Sequence, residues 1–151
     1  MGTKTLKPAA GSLYDEDFAV WTSKTARLFR ERRFDEMDVE HIAEEIEDMG
    51  ERDKRELHSR LTVLIVHLLK WKFQPEKKWA GCRSTIATQR TEIQLLLDDS
   101  PSLRHSATTI GDIYPRALQS AIAQTGLPAR TFPRECPFSA DQILDLSFLP
   151  E

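Results

Sequence analysis

Cysteine is scarce in this sequence, which contains only Cys82 and Cys136 in 151 residues. The two lie in unlike contexts, no CxxC pair occurs, and no secretory hydrophobic segment precedes them. This pattern favours reduced thiols in the cytoplasm over a disulfide, and no export signal is visible. We therefore expect a cytoplasmic protein.

Long hydrophobic runs are also missing. The longest extends from Leu61 to Leu69 and is interrupted by Thr62 and His67, whereas a membrane-spanning helix needs roughly 20 apolar residues. We therefore expect no membrane partner. The net charge of −3 likewise argues against a nucleic-acid or membrane surface over the whole chain.

Several motifs of known chemistry are absent. The sequence has no alternating β-branched run, no internal repeat, no glycine-rich phosphate loop and no catalytic nucleophile pattern. It therefore predicts no β-sheet and no cofactor, and it leans against an enzyme.

What the sequence does contain is one strongly apolar helical segment, from Leu57 to Phe73. Its apolar residues recur at steps of three and four, and further apolar side chains on the flanks nearly close around the helix. The residues in step are Leu57, Leu61, Leu64, Leu68 and Trp71, and those on the flanks are Val63, Ile65, Val66 and Leu69. Such a helix needs neighbours on most of its sides.

The other segments can supply those neighbours. We predict an all-α, single-domain bundle of about five main helices around Leu57–Phe73, formed by residues 13–151 after a flexible tail of residues 1–12. The other helices are expected at about Leu13–Arg33, Val39–Met49, Cys82–Leu97 and Pro101–Gly126. The last keeps its apolar stripe in phase across Pro115, which favours one kinked helix over two separate ones. An irregular, proline-rich segment, residues 127–151, is expected to wrap the bundle and has one short helix signal at Ser139.

The predicted helix Val39–Met49 has clear boundary signals and a strong charge. Asp38 precedes it as a helix cap, and Gly50 follows it in the position that favours a left-handed backbone. Its apolar stripe consists of Val39, Ile42, Ala43, Ile46 and Met49. Residues 35–48 include eight acids and no Lys or Arg, a formal −8, whereas residues 51–90 include ten Lys or Arg and four acids, a formal +6. These blocks indicate either pairing within the chain or two solvated helix faces.

A histidine metal site is a weak hypothesis. His58 and His67 are nine residues apart on one helix and point to opposite sides of it, so they cannot share an ion. His41 and Glu45 have a spacing compatible with metal ligands, but His41 lies on the side of its helix away from the apolar stripe. We therefore predict no metal, and a histidine that is satisfied within the bundle.

The predicted helix Cys82–Leu97 has a charged residue on its apolar face. Arg90 shares a side with Ile86 and Ile93, and Gln89 borders that side. A guanidinium in such a place must find acceptors, and the acidic helix is the richest source of carboxylates. We predict a polar network or pocket, with a structural rather than a functional role, formed by Glu44, Glu45, His67, Gln89 and Arg90.

Cations and aromatic rings alternate between Lys70 and Trp79. Such a stretch could hold single-stranded nucleic acid, because bases stack on aromatic rings while cations contact phosphates. Trp71, however, lies on the core side of the central helix, so nucleic acid is the less favoured partner. The candidate basic surface consists of Lys70, Lys72, Lys77, Lys78 and Arg83.

Short motifs spread over the chain also carry a family resemblance. They are Leu13-Tyr14, Asp17-Phe18 and Trp21; Ala43-Glu44-Glu45-Ile46-Glu47 with Met49-Gly50; His67-Leu68-Leu69-Lys70-Trp71 with Gln74-Pro75; Gln89-Arg90; Ser100-Pro101-Ser102-Leu103; Thr125-Gly126-Leu127 with Phe132-Pro133; and Phe148-Leu149-Pro150. With these motifs the chain resembles the bacterial domain-of-unknown-function family numbered twenty-nine. The resemblance implies an all-helical single domain and no established activity.

The sequence therefore predicts a non-enzymatic interaction or regulatory module. It would bind a protein partner through a charged face, either the acidic helix or the basic stretch. One alternative is a small-molecule or metal-dependent enzyme using the neighbourhood of Glu45, His67 and Arg90. A second is single-stranded nucleic-acid binding through residues 70–83. The oligomeric state is left open.

Overall fold

A computed structural model of the chain describes residues 12–77 and 80–151. The secondary structure in these two ranges is helical, without a β-strand, as predicted. The α-helices are α1 Leu13–Glu16, α2 Phe18–Arg30, α3 Val39–Phe73, α4 Ala80–Asp99, α5 Arg104–Thr108, α6 Ile110–Thr125 and α7 Ala140–Leu144. The predicted flexible tail lies outside the described residues apart from Ser12, and so do Lys78 and Trp79.

The chain divides into two compact units between Met49 and Gly50. We call them the N-terminal unit and the C-terminal unit, and α3 begins in the first and ends in the second. The assignment of residues 13–151 to one domain stays a prediction.

The helix boundary predicted at Gly50 is wrong. α3 runs through this glycine and is 35 residues long without interruption. The positive φ expected of a left-handed cap occurs at Gly126 rather than at Gly50. A glycine inside a helix costs only about 1 kcal/mol relative to alanine. The good helix formers Glu51, Arg52 and Lys54 follow immediately, so the local signal of one glycine does not stop the helix.

In the N-terminal unit, the predicted first helix is divided in two at Asp17. The backbone of this residue is extended, and its carboxylate accepts a hydrogen bond from the amide of Val20, which caps α2. Trp21 and Leu28 are the buried side chains of α2, one full heptad apart. The division places α1 beside α2 instead of extending it.

In the C-terminal unit, the predicted central helix does form the core. Leu57, Leu61, Leu64 and Leu68 are completely buried. Side chains from α4, α6 and α7 belong to the same cluster, among them Ile86, Ile93, Leu97, Ile113, Ala117 and Ile143. The near-closed apolar pattern of the sequence is therefore satisfied by neighbours on several sides.

The predicted fifth helix is interrupted, but not at its proline. Pro115 lies inside α6, and the break falls at Thr109, between α5 and α6. The hydroxyls of Thr108 and Thr109 both donate to the carbonyl oxygen of His105, at 2.8 and 3.0 Å. This local bonding competes with the helical ladder and ends α5. The predicted stop at Gly126 is confirmed, with a left-handed φ of 69°.

The C-terminal segment packs along the core of its own unit, as predicted. Ser139 and Gln142 form a complete capping box at the start of α7. Phe132 and Phe138 are buried, and Phe148 and Leu149 are partly buried against the core. The segment therefore covers apolar surface of the bundle, although α7 is its only α-helix within the described residues.

Candidate functional site

The guanidinium of Arg90 is almost fully buried in the C-terminal unit, with 2% of the residue exposed. Its Nε donates to the carbonyl oxygen of Ile143 at 2.8 Å, and its two terminal nitrogens donate to the carbonyls of Phe148 at 2.7 Å and Gln142 at 3.2 Å. Arg90 therefore anchors the C-terminal segment. Its observed acceptors are backbone carbonyls, and the network with Glu45 stays a prediction.

Arg90 binds these backbone carbonyls because carbonyls near the end of α7 need hydrogen-bond donors. The last carbonyls of a helix have no partner within it, and Arg90 reaches them from the apolar side of α4. Burial lowers the pKa of Arg90, while the negative charge of Asp145 acts in the opposite direction. A positive charge close to a helix C-terminus is also favoured by the helix dipole.

The other residues of the predicted network have separate partners. His67 donates from Nδ1 to the carbonyl oxygen of Val63 at 2.9 Å, and its burial lowers the pKa of the imidazole. Gln89 accepts a long hydrogen bond of 3.4 Å from Arg60. Glu44 is exposed. Within the described residues of the C-terminal unit, His67, Gln89 and Arg90 are therefore not joined in one hydrogen-bonded network.

In the described part of the basic aromatic stretch, the rings pack on the core, and two lysines have hydrogen-bond partners at the surface. Trp71 and Phe73 are packed against the hydrophobic cluster. Lys70 donates to the side chain of Gln124 at 3.5 Å, and Lys72 to the carbonyl oxygen of Glu151 at 3.3 Å. Arg83 is exposed. The side chains of Lys77 and Lys78 lie outside the described residues.

The N-terminal unit contains a polar and aromatic cluster that the sequence does not predict. The hydroxyl of Tyr14 donates to Oε1 of Glu45 at 2.6 Å, and its ring stacks on that of His41 with 3.9 Å between centroids. Nδ1 of His41 lies 2.5 Å from Oδ2 of Asp38. The sequence shows the i, i+4 spacing of His41 and Glu45. Nothing in it indicates that Tyr14 bonds to Glu45 and stacks on His41.

The electrostatics of this cluster follow from the same contacts. The hydrogen bond to Glu45, followed by burial, raises the pKa of Tyr14 to about 12. The hydrogen bond that His41 donates to the Asp38 carboxylate raises the pKa of His41, although burial opposes it. His41 is thus satisfied by a carboxylate and an aromatic ring of its own unit.

A small cavity of about 150 Å³ adjoins the cluster. Tyr14, Trp21, Lys24, Glu36 and Asp38 are among the residues that line it. It falls below the roughly 300 Å³ at which ligand pockets for organic molecules begin. The cluster is therefore better described as the joint that fixes α1 and α2 on the first part of α3.

The cluster occupies one side of α3 and leaves the apolar stripe on another. At about 100° per residue, His41 and Glu45 are close together, while Ile46 is displaced from both by at least a quarter turn. Val39, Ile46 and Met49 are 63%, 62% and 61% exposed. An apolar stripe normally faces a core. Here we define the α3 stripe as Val39, Ile42, Ala43, Ile46 and Met49, and its large side chains are mostly in solvent.

Acidic side chains border the α3 stripe. Glu40 and Glu47 lie on one flank and are exposed, and Glu44 and Asp48 follow further around the helix. The ion pairs of the acidic block are local, since Glu36 pairs with Arg33 and Asp38 with His41. The stripe is thus an exposed apolar strip in a negatively charged surrounding.

Two further observations concern other classes of site. Among residues 12–77 and 80–151, no group of three or more His, Cys, Asp or Glu side chains could hold a metal ion. Within the same ranges, no helix combines the length and the apolar character needed to cross a membrane.

Comparison with known proteins gives one match. The model of a family described as "Domain of unknown function DUF29" matches residues 13–149. No curated protein and no solved structure matches the chain. The family match covers nearly all of the sequence and includes both the Tyr14 cluster and the Arg90 anchor. The chain therefore belongs to the DUF29 family.

Proposed function

We propose that this protein is an interaction module whose N-terminal unit binds a basic amphipathic helix of a partner protein along the α3 stripe. The observation that carries the proposal is the exposure of Val39, Ile46 and Met49 beside an acidic flank. Three large apolar side chains on one face of a helix, each more than 60% exposed, are best explained by a surface that is covered in a complex.

The spacing of the stripe suits a helical partner. Val39, Ile42, Ile46 and Met49 follow one another at steps of three, four and three, the pattern of core positions in a coiled coil. A second helix could insert its own apolar residues between them. The strip is about two heptads long, so it offers a docking site of moderate size.

The charge of the surface specifies the partner further. Residues 35–48 carry a formal charge of −8 without a Lys or Arg. An acidic partner helix would be repelled, whereas Lys or Arg residues flanking an apolar seam would pair with Glu40 and Glu47. The proposed partner is therefore basic as well as amphipathic.

Exposed apolar side chains are concentrated in this unit. Of the nine large hydrophobic residues that are exposed within the described ranges, seven lie between Phe18 and Met49. Phe29 and Phe34 are among them and contact each other edge to face at 6.4 Å. This concentration supports a binding surface in the N-terminal unit rather than scattered exposure over the protein.

The test uses a fluorescently labelled synthetic helix as the probe, with Leu and Ile at the core positions of three heptads and Lys at the flanking positions. Fluorescence anisotropy should show saturable binding to the full chain. Ile46→Ser should weaken it more than tenfold, because burying an Ile side chain contributes about 2 kcal/mol. Ile46 is exposed, so the variant should fold normally. Leu95→Ser is the matched control, since Leu95 is 53% exposed on α4.

Two control peptides distinguish the proposal from simple charge attraction. A peptide with Glu in place of the flanking Lys residues should not bind, and neither should a scrambled peptide of the same composition. Equal binding of the scrambled peptide would reject the proposal. It would also be rejected if sedimentation equilibrium showed a dimer of this chain that Ile46→Ser dissociates, because the stripe would then be covered by a second copy.

A further inference from the structure

The C-terminal unit contains a groove that the sequence analysis did not predict. Its volume is about 630 Å³, and it is lined by Leu118, Ala129, Arg130, Phe132, Pro133 and Arg134. Three other cavities, lined by described residues, measure between about 150 and 260 Å³. This groove alone among them falls in the range of roughly 300–1,000 Å³ that is typical of small-molecule sites.

The walls of the groove are held firmly. Tyr114, which is buried, donates its hydroxyl proton to the carbonyl oxygen of Pro133 at 2.7 Å. Phe132 is buried and contacts Phe73 of α3 edge to face at 5.4 Å. The amide of Thr131 donates to the carbonyl oxygen of Pro128 at 2.9 Å and closes a turn. A ligand would therefore enter a preformed site, which reduces the entropy cost of binding.

Two guanidinium groups border this groove, those of Arg130 and Arg134. Arg130 and Arg134 are both exposed. Within the described residues neither forms an ion pair or a side-chain hydrogen bond. Glu135 is the next residue in the chain but is not among those that line the groove. Both cations are thus available to an anion, and arginine binds carboxylate and phosphate groups with two parallel hydrogen bonds.

We infer that this groove is a binding site for a small amphipathic anion, with an apolar body and a carboxylate or phosphate head. Leu118, Phe132 and Pro133 would contact the apolar body, and Arg130 and Arg134 would bind the head. An octyl chain with its head group is small enough to fit within about 630 Å³. The inference concerns the C-terminal unit alone, so it does not depend on the proposed function of the α3 stripe.

The test uses three probes with the same chain and different heads: octanoate, octyl phosphate and the neutral octanol. Each is titrated into the ¹⁵N-labelled full chain, and amide shifts are followed by NMR. At least one anion should shift the amides of Leu118, Ala129 and Phe132 saturably and bind at least tenfold more tightly than octanol, because a charge-assisted hydrogen bond is worth about one such factor. The tighter of the two anions identifies the head group.

Variants of the two arginines test where the anionic head group binds. The double variant Arg130→Gln and Arg134→Gln should weaken the binding of the anionic probes at least tenfold and leave the affinity for octanol unchanged. Arg116→Gln is the control, since Arg116 is exposed on α6 and does not line the groove. The inference is overturned if octanol binds as tightly as both anions, if the double variant retains wild-type affinity, or if the shifts occur elsewhere in the chain.

Discussion

The Nε of Arg90 donates to the carbonyl oxygen of Ile143 across 53 positions of the sequence, in a buried hydrogen bond of 2.8 Å. The same guanidinium also binds the carbonyls of Gln142 and Phe148. One side chain of α4 therefore holds both the end of α7 and the residues that follow it. These acceptors belong to the backbone, so the anchor depends on the arginine and not on the side chains of its partners.

Arg90→Met should lower the free energy of unfolding by about 3 kcal/mol. The substitution keeps most of the apolar volume but leaves three carbonyls without their donor, and buried polar groups without a partner are costly. Chemical denaturation with far-UV circular dichroism measures the change. Hydrogen exchange should become faster at the amides of α7, because this helix loses its main attachment to α4.

The matched control for Arg90 is Arg83→Met. Arg83 lies two helical turns earlier on the same helix and is exposed, so its replacement should change the stability by less than about 0.5 kcal/mol. Equal effects of the two substitutions, or no effect of Arg90→Met, would show that the buried hydrogen bonds do not stabilise the fold.

Gly50→Ala should stabilise the protein by about 1 kcal/mol. Gly50 lies inside α3 with a helical backbone, and an added Cβ would meet no atom within 4 Å. Alanine restricts the unfolded chain and favours the helix. Thermal unfolding measures the effect. A loss of stability would indicate instead that the helix ends at this glycine, as its sequence pattern suggests.

Gly126→Ala is expected to have the opposite effect and to lower the free energy of unfolding by about 1 kcal/mol. Gly126 ends α6 with a φ of 69°, a conformation that a residue with a Cβ adopts only at a cost. Space is not the reason, since a Cβ there would also meet no atom within 4 Å. The two alanine variants together test the backbone conformation of the two glycines under identical conditions.

His41 and His67 should titrate on opposite sides of the ordinary histidine pKa of about 6.5. The Asp38 hydrogen bond raises the pKa of His41, and nearby Asp15 and Glu44 act in the same direction, while burial lowers the pKa of His67. NMR titration of the imidazole Cε1–H signals measures both. Asp38→Asn should lower the pKa of His41 and leave that of His67 unchanged.

The two shifts have opposite consequences for stability. His41 binds its proton more tightly in the folded state, so its stabilising contribution is present below the unfolded pKa and is lost as the pH rises through the folded pKa. His67 binds its proton less tightly in the folded state, so the C-terminal unit should lose stability as the pH falls below about 6.5. His67→Gln should reduce that loss, and an unchanged pH profile would contradict it.

The tyrosines offer a test of the Tyr14–Glu45 hydrogen bond. The pKa values of Tyr14 and Tyr114 are both raised to about 12, the first mainly by Glu45 and the second mainly by burial. Ultraviolet titration at 295 nm should therefore show little ionisation near pH 10. In a Tyr114→Phe background, Glu45→Gln should lower the pKa of Tyr14 towards 10, because it removes the negative charge beside the phenol. An unchanged pKa would exclude this contact.

Some of the fold could be predicted because its signals are local. The apolar spacing of Leu57, Leu61, Leu64 and Leu68 identified the core helix, and these residues are completely buried. The Ser139 capping box and the Gly126 stop were also correct. In contrast, the stop signal of Gly50 does not end α3, because a glycine inside a helix costs only about 1 kcal/mol and the surrounding helix compensates.

The candidate sites were predicted only in part. The apolar stripe of residues 39–49 was visible in the sequence, but periodicity shows that an apolar face exists and not whether another element covers it. For Arg90 the sequence indicates that an acceptor is needed, and a carboxylate is the usual acceptor for a guanidinium. Backbone carbonyls carry no signature in a sequence, so the true acceptors could not be identified.

The sequence by itself determined most of the helical segments and the helix that lies at the core, because hydrogen bonds between near neighbours and side-chain spacing along one helix decide both. The tertiary structure alone decided that Tyr14 would bind Glu45, 31 positions away, that Arg90 would anchor the C-terminal segment, and that Arg130 and Arg134 would border one groove. Such contacts depend on where distant segments meet, and spacing along the chain does not contain that information.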